Sequence, residues 1–182
     1  MKKINKNLQF SKYFFDETIK VKKLNMLDQR GSFQRVFCKK EFQDFKLNNE
    51  INQINISKTT LKGSVRGLHF QKKPYAEVKI ISCLKGKIWD VMVDIREESS
   101  TYLKWNAIIL SPENNTSIYI PEGFAHGFQT LTKDVELLYL HSKPYMPSHE
   151  FGLNPLDPKV NIEWPIKISN ISYKDKNRTH LK

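Results

Sequence analysis

The chain has 182 residues, 39% of them apolar and 12% aromatic, enough to build a hydrophobic core without disulfides or a structural metal, and one domain spanning 1–182 is expected. A formal net charge of +11 suits an anionic ligand, but the lysines run from Lys2, Lys3 and Lys6 to Lys174, Lys176 and Lys182 with no helix-turn-helix or RNA-binding signature, so nucleic acid is not the expected partner. Polar residues from Asn5 to Lys12 interrupt the N-terminus, no apolar run approaches the ~20 residues that cross a bilayer, and Cys38 and Cys83 lack metal spacing; reduced core thiols, no membrane and a cytoplasmic location are expected.

In chain order, short β-like segments separated by turn residues are expected at 33–38, 51–57, 77–84, 88–94, 106–111, 116–120, 127–131 and 135–141, with a short helix at 39–45. Between the third and fourth of these, Gly86 supplies the positive φ of a tight hairpin. Pro112 to Asn115 is a second turn, where proline sets φ and asparagine tolerates the left-handed region. Strands at such spacing favour an all-β barrel or sandwich. From Pro144 onward, repeated prolines argue for an ordered wrap over that barrel, anchored by Phe151, Leu153 and Trp164.

The run Arg66-Gly67-Leu68-His69-Phe70-Gln71 reads as a strand, with Gly67, His69 and Gln71 on one face and Arg66, Leu68 and Phe70 on the other. If the first face lines a barrel, His69 enters the lumen, although a lone histidine there is more often a hydrogen-bonded structural residue. Downstream, Pro121-Glu122-Gly123-Phe124-Ala125-His126 resembles the second motif of the cupin superfamily. The first cupin motif adds two histidines and a glutamate to complete a divalent metal site, but the second histidine and the glutamate are here Gln71 and Lys79. An amide for an imidazole and an ammonium for a carboxylate disfavour a cation. No metal is expected, and side chains themselves must move protons and stabilise charge.

The resemblance narrows when further segments are added: Asp28 to Phe33, Gln53 to Ser57, the Arg66 to Gln71 run, Trp89 to Arg96, Ser100-Thr101, Ile120 to Phe128 and Ile162 to Pro165. In this order they resemble the motifs of the dTDP-4-dehydrorhamnose 3,5-epimerases, from about Phe15 to Asp175. That resemblance implies a double-stranded β-helix, the cupin jelly-roll barrel, with short flanking helices and a C-terminal wrap. It implies no cofactor, a nucleotide-linked 4-keto-6-deoxy sugar as substrate, and inversion at C3, C5 or both. It makes His69 the base, Asp175 the carboxylate that orients the imidazole, Tyr139 the acid on the opposite face and Lys79 the cation near the C4 oxygen. By the same resemblance Arg30, Arg66 and Lys174 hold the sugar nucleotide, Gln53, Asn55, His126 and Glu150 add polar contacts, and Tyr145 stacks on the base. Arg30 and Gly31 reach into a neighbouring subunit's site, which implies a homodimer with strand exchange.

Arg35 stands where the family often has a glutamate that reads the nucleotide, so an inverted charge is expected there and the base recognised is left open. Pro155 and Leu156 replace a tryptophan and an asparagine of the family pattern, which alters the expected wall of the site. A catalytically inert sugar-nucleotide-binding relative, and a metal-dependent cupin oxygenase, are the competing readings. The first is opposed by the joint presence of His69, Lys79, Tyr139 and Asp175, the second by Gln71 and Lys79.

Overall fold

The computed structural model describes residues 7–48 and 50–181; the terminal lysines at positions 2, 3, 6 and 182 lie outside the described residues. Strands β1 (Leu8–Tyr13), β2 (Phe15–Lys23), β3 (Asn25–Asp28) and β4 (Gly31–Gln34) precede helix α1 (Lys39–Asp44). Strands β5 (Gln53–Thr59), β6 (Ser64–Gln71), β7 (Lys79–Lys85), β8 (Ile88–Asp94), β9 (Trp105–Leu110), β10 (Thr116–Ile120), β11 (Phe124–Thr130) and β12 (Val135–His141) follow. The tail carries β13 (Glu150–Gly152), β14 (Asn170–Ile171) and helix α2 (Tyr173–Lys176). One sheet has the order β1-β2-β10-β7-β12-β5 and the other β13-β6-β11-β8-β9, with β14 added parallel to β6. Two sheets facing each other in this order form the all-β cupin-like jelly roll.

The expected segments 88–94, 116–120 and 135–141 coincide with β8, β10 and β12. The segment 33–38 does not hold as a strand: β4 ends at Gln34, and Phe37 instead packs on Phe42 of α1, 4.8 Å between ring centroids. Strands β1 to β3 were not foreseen, because alternate lysines and other polar residues dilute the period-two signal of Ile19 and Val21.

Residues alternate between the two faces of each strand, and this builds the core. Ile81, Cys83, Ile88, Met92, Leu110, Ile118, Phe124, Phe128 and Leu137 meet between the sheets. Outside the first sheet, Phe42 of α1 closes over Ile19, Val21, Ile80 and Leu140. Outside the second, Leu153, Val160 and Trp164 of the tail cover Leu68, Val91 and Val93, so the wrap is anchored as expected by Leu153 and Trp164. Phe151 is the exception: it sits at the surface beside Phe70 and under the Lys72 ammonium, 4.0 Å from its ring centroid. Cys83 is buried and Cys38 half-buried, both as free thiols.

Both expected turns form, with φ of 77° at Gly86 and 50° at Asn115. Strict alternation along β6 does not hold, however. His69 pairs with His126 while Arg66 pairs with Phe128, so three steps on β6 oppose two on β11. The extra residue is a bulge, which returns Arg66 to the face that His69 occupies. Backbones cross closely here, and a Cβ on Gly67 would lie 2.5 Å from Gly127 Cα. On Gly127 a Cβ would meet the Arg66 carbonyl oxygen at 2.8 Å. Gly127→Ala therefore overpacks the crossing and is expected to cost about 1–3 kcal/mol, read as a lowered thermal midpoint; an unchanged midpoint would show that the crossing relaxes freely.

Candidate active site

At one end of the space between the sheets, the lining changes from apolar to polar. On β12, Val135 and Leu137 belong to the core, whereas Tyr139 and His141, on the same face, reach a cavity of about 700 Å³. On β7 the same switch runs from Cys83 and Ile81 to Lys79. Nearly all the residues expected at the site meet there: Asn55, Arg66, His69, Lys79, His126, Tyr139, Tyr145, Glu150, Lys174 and Asp175 all line the cavity.

His69 lies on β6 with its side chain 38% exposed at the cavity, and its Nε2 is 2.7 Å from Asp175 Oδ1. Asp175 is buried in α2, where its own N–H is capped by Ser172 Oγ at 3.1 Å, and its Oδ2 accepts from the Gly67 N–H at 3.4 Å. Burial pushes the Asp175 carboxyl up, but the bonds from His69, Ser172 and Gly67 outweigh it and hold the group below its usual range. The result is a fixed anion behind a solvent-reachable imidazole.

Lys79 is almost fully buried, and its Nζ donates to the His69 carbonyl oxygen at 3.0 Å and lies 3.3 Å from Glu77. Burial lowers its proton affinity, opposed by Glu77 first and by Glu150 and Asp90 further off. Tyr139 accepts a hydrogen bond from Ser57 Oγ at 3.2 Å, and burial raises its phenol well above the usual range, so it keeps its proton at neutral pH. His126 Nε2 lies 2.8 Å from the buried Asp90, and its ring meets Tyr139 edge-on at 6.3 Å. Gln71 holds no ligand position: its amide donates to the carbonyls of Tyr75 and Pro144 and accepts from the Met146 N–H, bracing the 144–146 loop.

At the cavity rim, Glu150 gathers Lys174, the Tyr145 hydroxyl at 2.9 Å and Arg178 at 3.0 Å. Gln53 does not line the cavity, but its Oε1 accepts from the Tyr145 N–H at 2.8 Å and sets that loop. Arg30 is not brought to this cavity: it sits at the tip of the β3–β4 ribbon, 89% exposed and paired with Asp28 at 2.6 Å. Arg35 is paired at 2.6 Å with Glu41, a buried carboxylate of α1 that also accepts the Leu8 N–H. The inverted charge expected at Arg35 is thus neutralised within the chain.

Residues 14–182 match the family model described as dTDP-4-dehydrorhamnose 3,5-epimerase. The chain belongs to this family. It is 43% identical over 151 residues to the dTDP-4-dehydrorhamnose 3,5-epimerase of Shigella flexneri, covering 82% of this chain and 83% of the relative. The enzyme of the same name from Bacillus anthracis, solved with TDP and pyrophosphate bound, superposes with a TM-score of 0.92 at 33% identity, covering 96% of this chain and 99% of that one. The dTDP-6-deoxy-D-glucose-3,5-epimerase of Legionella pneumophila, in complex with dTDP-4-keto-L-rhamnose, gives a TM-score of 0.87 at 34% identity, covering 92% and 89%.

For a 3,5-epimerase, several polar residues around the expected ones carry weight that sequence reading passed over. Asp90 backs His126, Ser57 binds Tyr139, and Arg178 bridges Glu150 to Asp175, the latter at 3.6 Å. Glu77 and His141 also line the cavity. The last two were available from strand periodicity, since each stands two residues from Lys79 or Tyr139 and shares its face. Arg178 lies just past the end of α2, where its N–H turns back to the Asp175 carbonyl at 3.4 Å.

Asp175→Asn keeps the shape of the dyad and removes its charge, and turnover is expected to fall by about 10²-fold. Because the folded-state carboxyl is held below the ordinary value of about 3.9, its contribution to stability is complete above that pH and is lost as pH falls through the lowered value. Denaturant melts of wild type and Asp175→Asn should therefore differ at neutral pH and converge on acidification; a constant gap would contradict the dyad.

Proposed function

We infer that this protein is a cofactor-independent epimerase, an isomerase that inverts C3 and C5 of a dTDP-linked 4-keto-6-deoxy sugar to give the dTDP-4-dehydro-L-rhamnose configuration. The observation that carries the reading is the convergence of a base, a protonated phenol and a buried ammonium on one cavity. Residues 1–182 act in this reading as one catalytic domain.

The C4 ketone acidifies the hydrogens on C3 and C5, so a base near neutrality suffices if the enolate is stabilised. His69 removes the proton, and Asp175 holds the imidazole and balances the imidazolium that forms. A positioned base of this kind contributes ~10²- to 10⁴-fold. Lys79 meets the oxygen that becomes negative, where one preorganised donor is worth about 3 kcal/mol. Tyr139 returns a proton to the carbon from the other face, inverting the centre, and its high proton affinity keeps it ready as an acid. The same groups act at the second carbon once the sugar presents it.

Arg66 and Lys174 suit the diphosphate, Asn55, His126 and Glu150 the sugar, and Tyr145, half exposed at the rim, a stacked base. Arg30 lies on a ribbon whose Leu27 and Phe33 are largely exposed, and we assign it to the site of a second copy in a homodimer formed by strand exchange. The edge strand β5, with Ile54 and Ile56 exposed, is the natural place for that ribbon to pair. Among the described residues no helix is long and apolar enough to cross a membrane, and the two free thiols accord with our placement of the enzyme in the cytoplasm.

In deuterated water the wild type is expected to place deuterium at both C3 and C5 of dTDP-4-dehydro-6-deoxyglucose, followed by mass spectrometry and proton NMR. His69→Ala should abolish exchange at both carbons, whereas Tyr139→Phe should retain exchange with little inversion, because the base can return a solvent-derived proton to the face it came from. Wild-type protein that incorporates no deuterium would sink the assignment and favour an inert binder.

A further inference from the structure

Glu77 and His141 line the cavity but have no part in the mechanism above. The Glu77 carboxylate is buried and divided between two partners, with Oε1 at 3.3 Å from Lys79 Nζ and Oε2 at 2.9 Å from His141 Nδ1. His141 in turn lies parallel to the Tyr139 ring, 5.9 Å between centroids and 10° between planes. A buried carboxylate is costly unless it is paired and hydrogen-bonded, and this one joins the two groups to which the enolate and the returning proton are assigned. An ammonium has three N–H donors. One of Lys79's points to the His69 carbonyl and one toward Glu77, which leaves the third for the cavity.

Resting on the reading of Lys79 and Tyr139 given above, we propose that Glu77, braced by His141, is a positioning residue. It aims the Lys79 ammonium at the C4 oxygen and keeps it charged, while His141 fixes the plane of Tyr139. The groups that face Lys79 are Glu77 beside it on the approach to β7, His69 on β6, Asp90 on β8, His126 on β11, Tyr139 and His141 on β12 and Glu150 on β13. Glu77 is the nearest anion among them and the principal counterweight to burial. Without it the lysine gives up its proton at lower pH, and the cation is lost from the alkaline side first.

The test is Glu77→Gln, which keeps the shape and removes the charge, assayed for turnover and for deuterium exchange across pH beside the wild type. We expect kcat to fall by about tenfold or more with KM changed by less than about threefold, and the alkaline limb of kcat to move toward acid by about one pH unit or more. Glu77→Asp should recover part of kcat. In a Lys79→Met background, adding Glu77→Gln should bring little further loss, because residues acting through one another are not additive. An alkaline limb left in place, or losses that multiply in the double variant, would overturn the proposal and leave the ion pair structural. If Glu77→Gln does not fold, His141→Gln, which keeps the Glu77 charge but removes its brace and the ring beside Tyr139, should shift the same limb in the same direction, and an unshifted limb there counts against the proposal equally. Wild type inert toward the sugar nucleotide overturns the epimerase reading as well, whereas active wild type with an indistinguishable Glu77→Gln overturns this inference alone.

Discussion

The 2.7 Å contact between His69 and Asp175 joins residues 106 positions apart, and it exists only when the whole tail has closed over the second sheet. Asn154 holds that closure by donating to the carbonyls of Lys176 and Arg178, and Asp157 accepts the Leu181 N–H. β14 then lies parallel to β6 and delivers Ser172, which caps the turn that carries Asp175. Apolar anchoring by Leu153, Val160 and Trp164 stabilises the same path. The His69–Asp175 pair is therefore completed late in the chain, by the tail that carries Asp175. An open tail would leave His69 on its strand, free of the carboxylate that selects its tautomer and ring orientation.

How much of this was legible depended on the range of the interaction. Strands β8, β10 and β12 were readable because each is a short apolar run bounded by turn residues, buried almost throughout in β8 and β10 and partly alternating in β12. Lys79 and Tyr139 continue the face of Ile81 and Leu137, so their entry into the lumen follows from the period of the pleat. The bulge at Gly67 was not readable: it arises from the approach of Gly127 on another strand, and no local pattern encodes a register offset between β6 and β11. Asp175 came only through family resemblance, for nothing within four residues of it points toward His69. Strands β1 and β2 went unread because lysines and other polar residues alternate with their apolar ones and dilute the period-two signal.

Charge inside the cavity is arranged in alternating pairs, which explains how so many ionisable groups share a confined space. Asp175 faces His69, Asp90 faces His126, Glu77 faces both Lys79 and His141, and Glu150 faces Lys174 and Arg178. Each carboxylate has a cation or imidazole close by; at Asp175, Glu77 and Glu150 that pairing outweighs burial, whereas at Asp90 burial wins, pushing the carboxyl up and leaving Oδ1 without a hydrogen-bond partner among the described residues. Under the proposed epimerase reading, these pairings leave the Lys79 ammonium to meet an oxygen that becomes negative.

Local compensation also bears on Arg35, where the sequence led to an expected inversion of charge. The Arg35 guanidinium is held by Glu41, and Glu41 in turn fixes Leu8 at the start of β1. The Arg35 charge is therefore tied into the packing of α1 on the first sheet, alongside Phe37 and Phe42. Its removal would leave a buried carboxylate without its ion-pair partner. The His69–Asp175 pair is built by β6 and the tail over the second sheet, away from α1, which packs outside the first sheet beside Arg35.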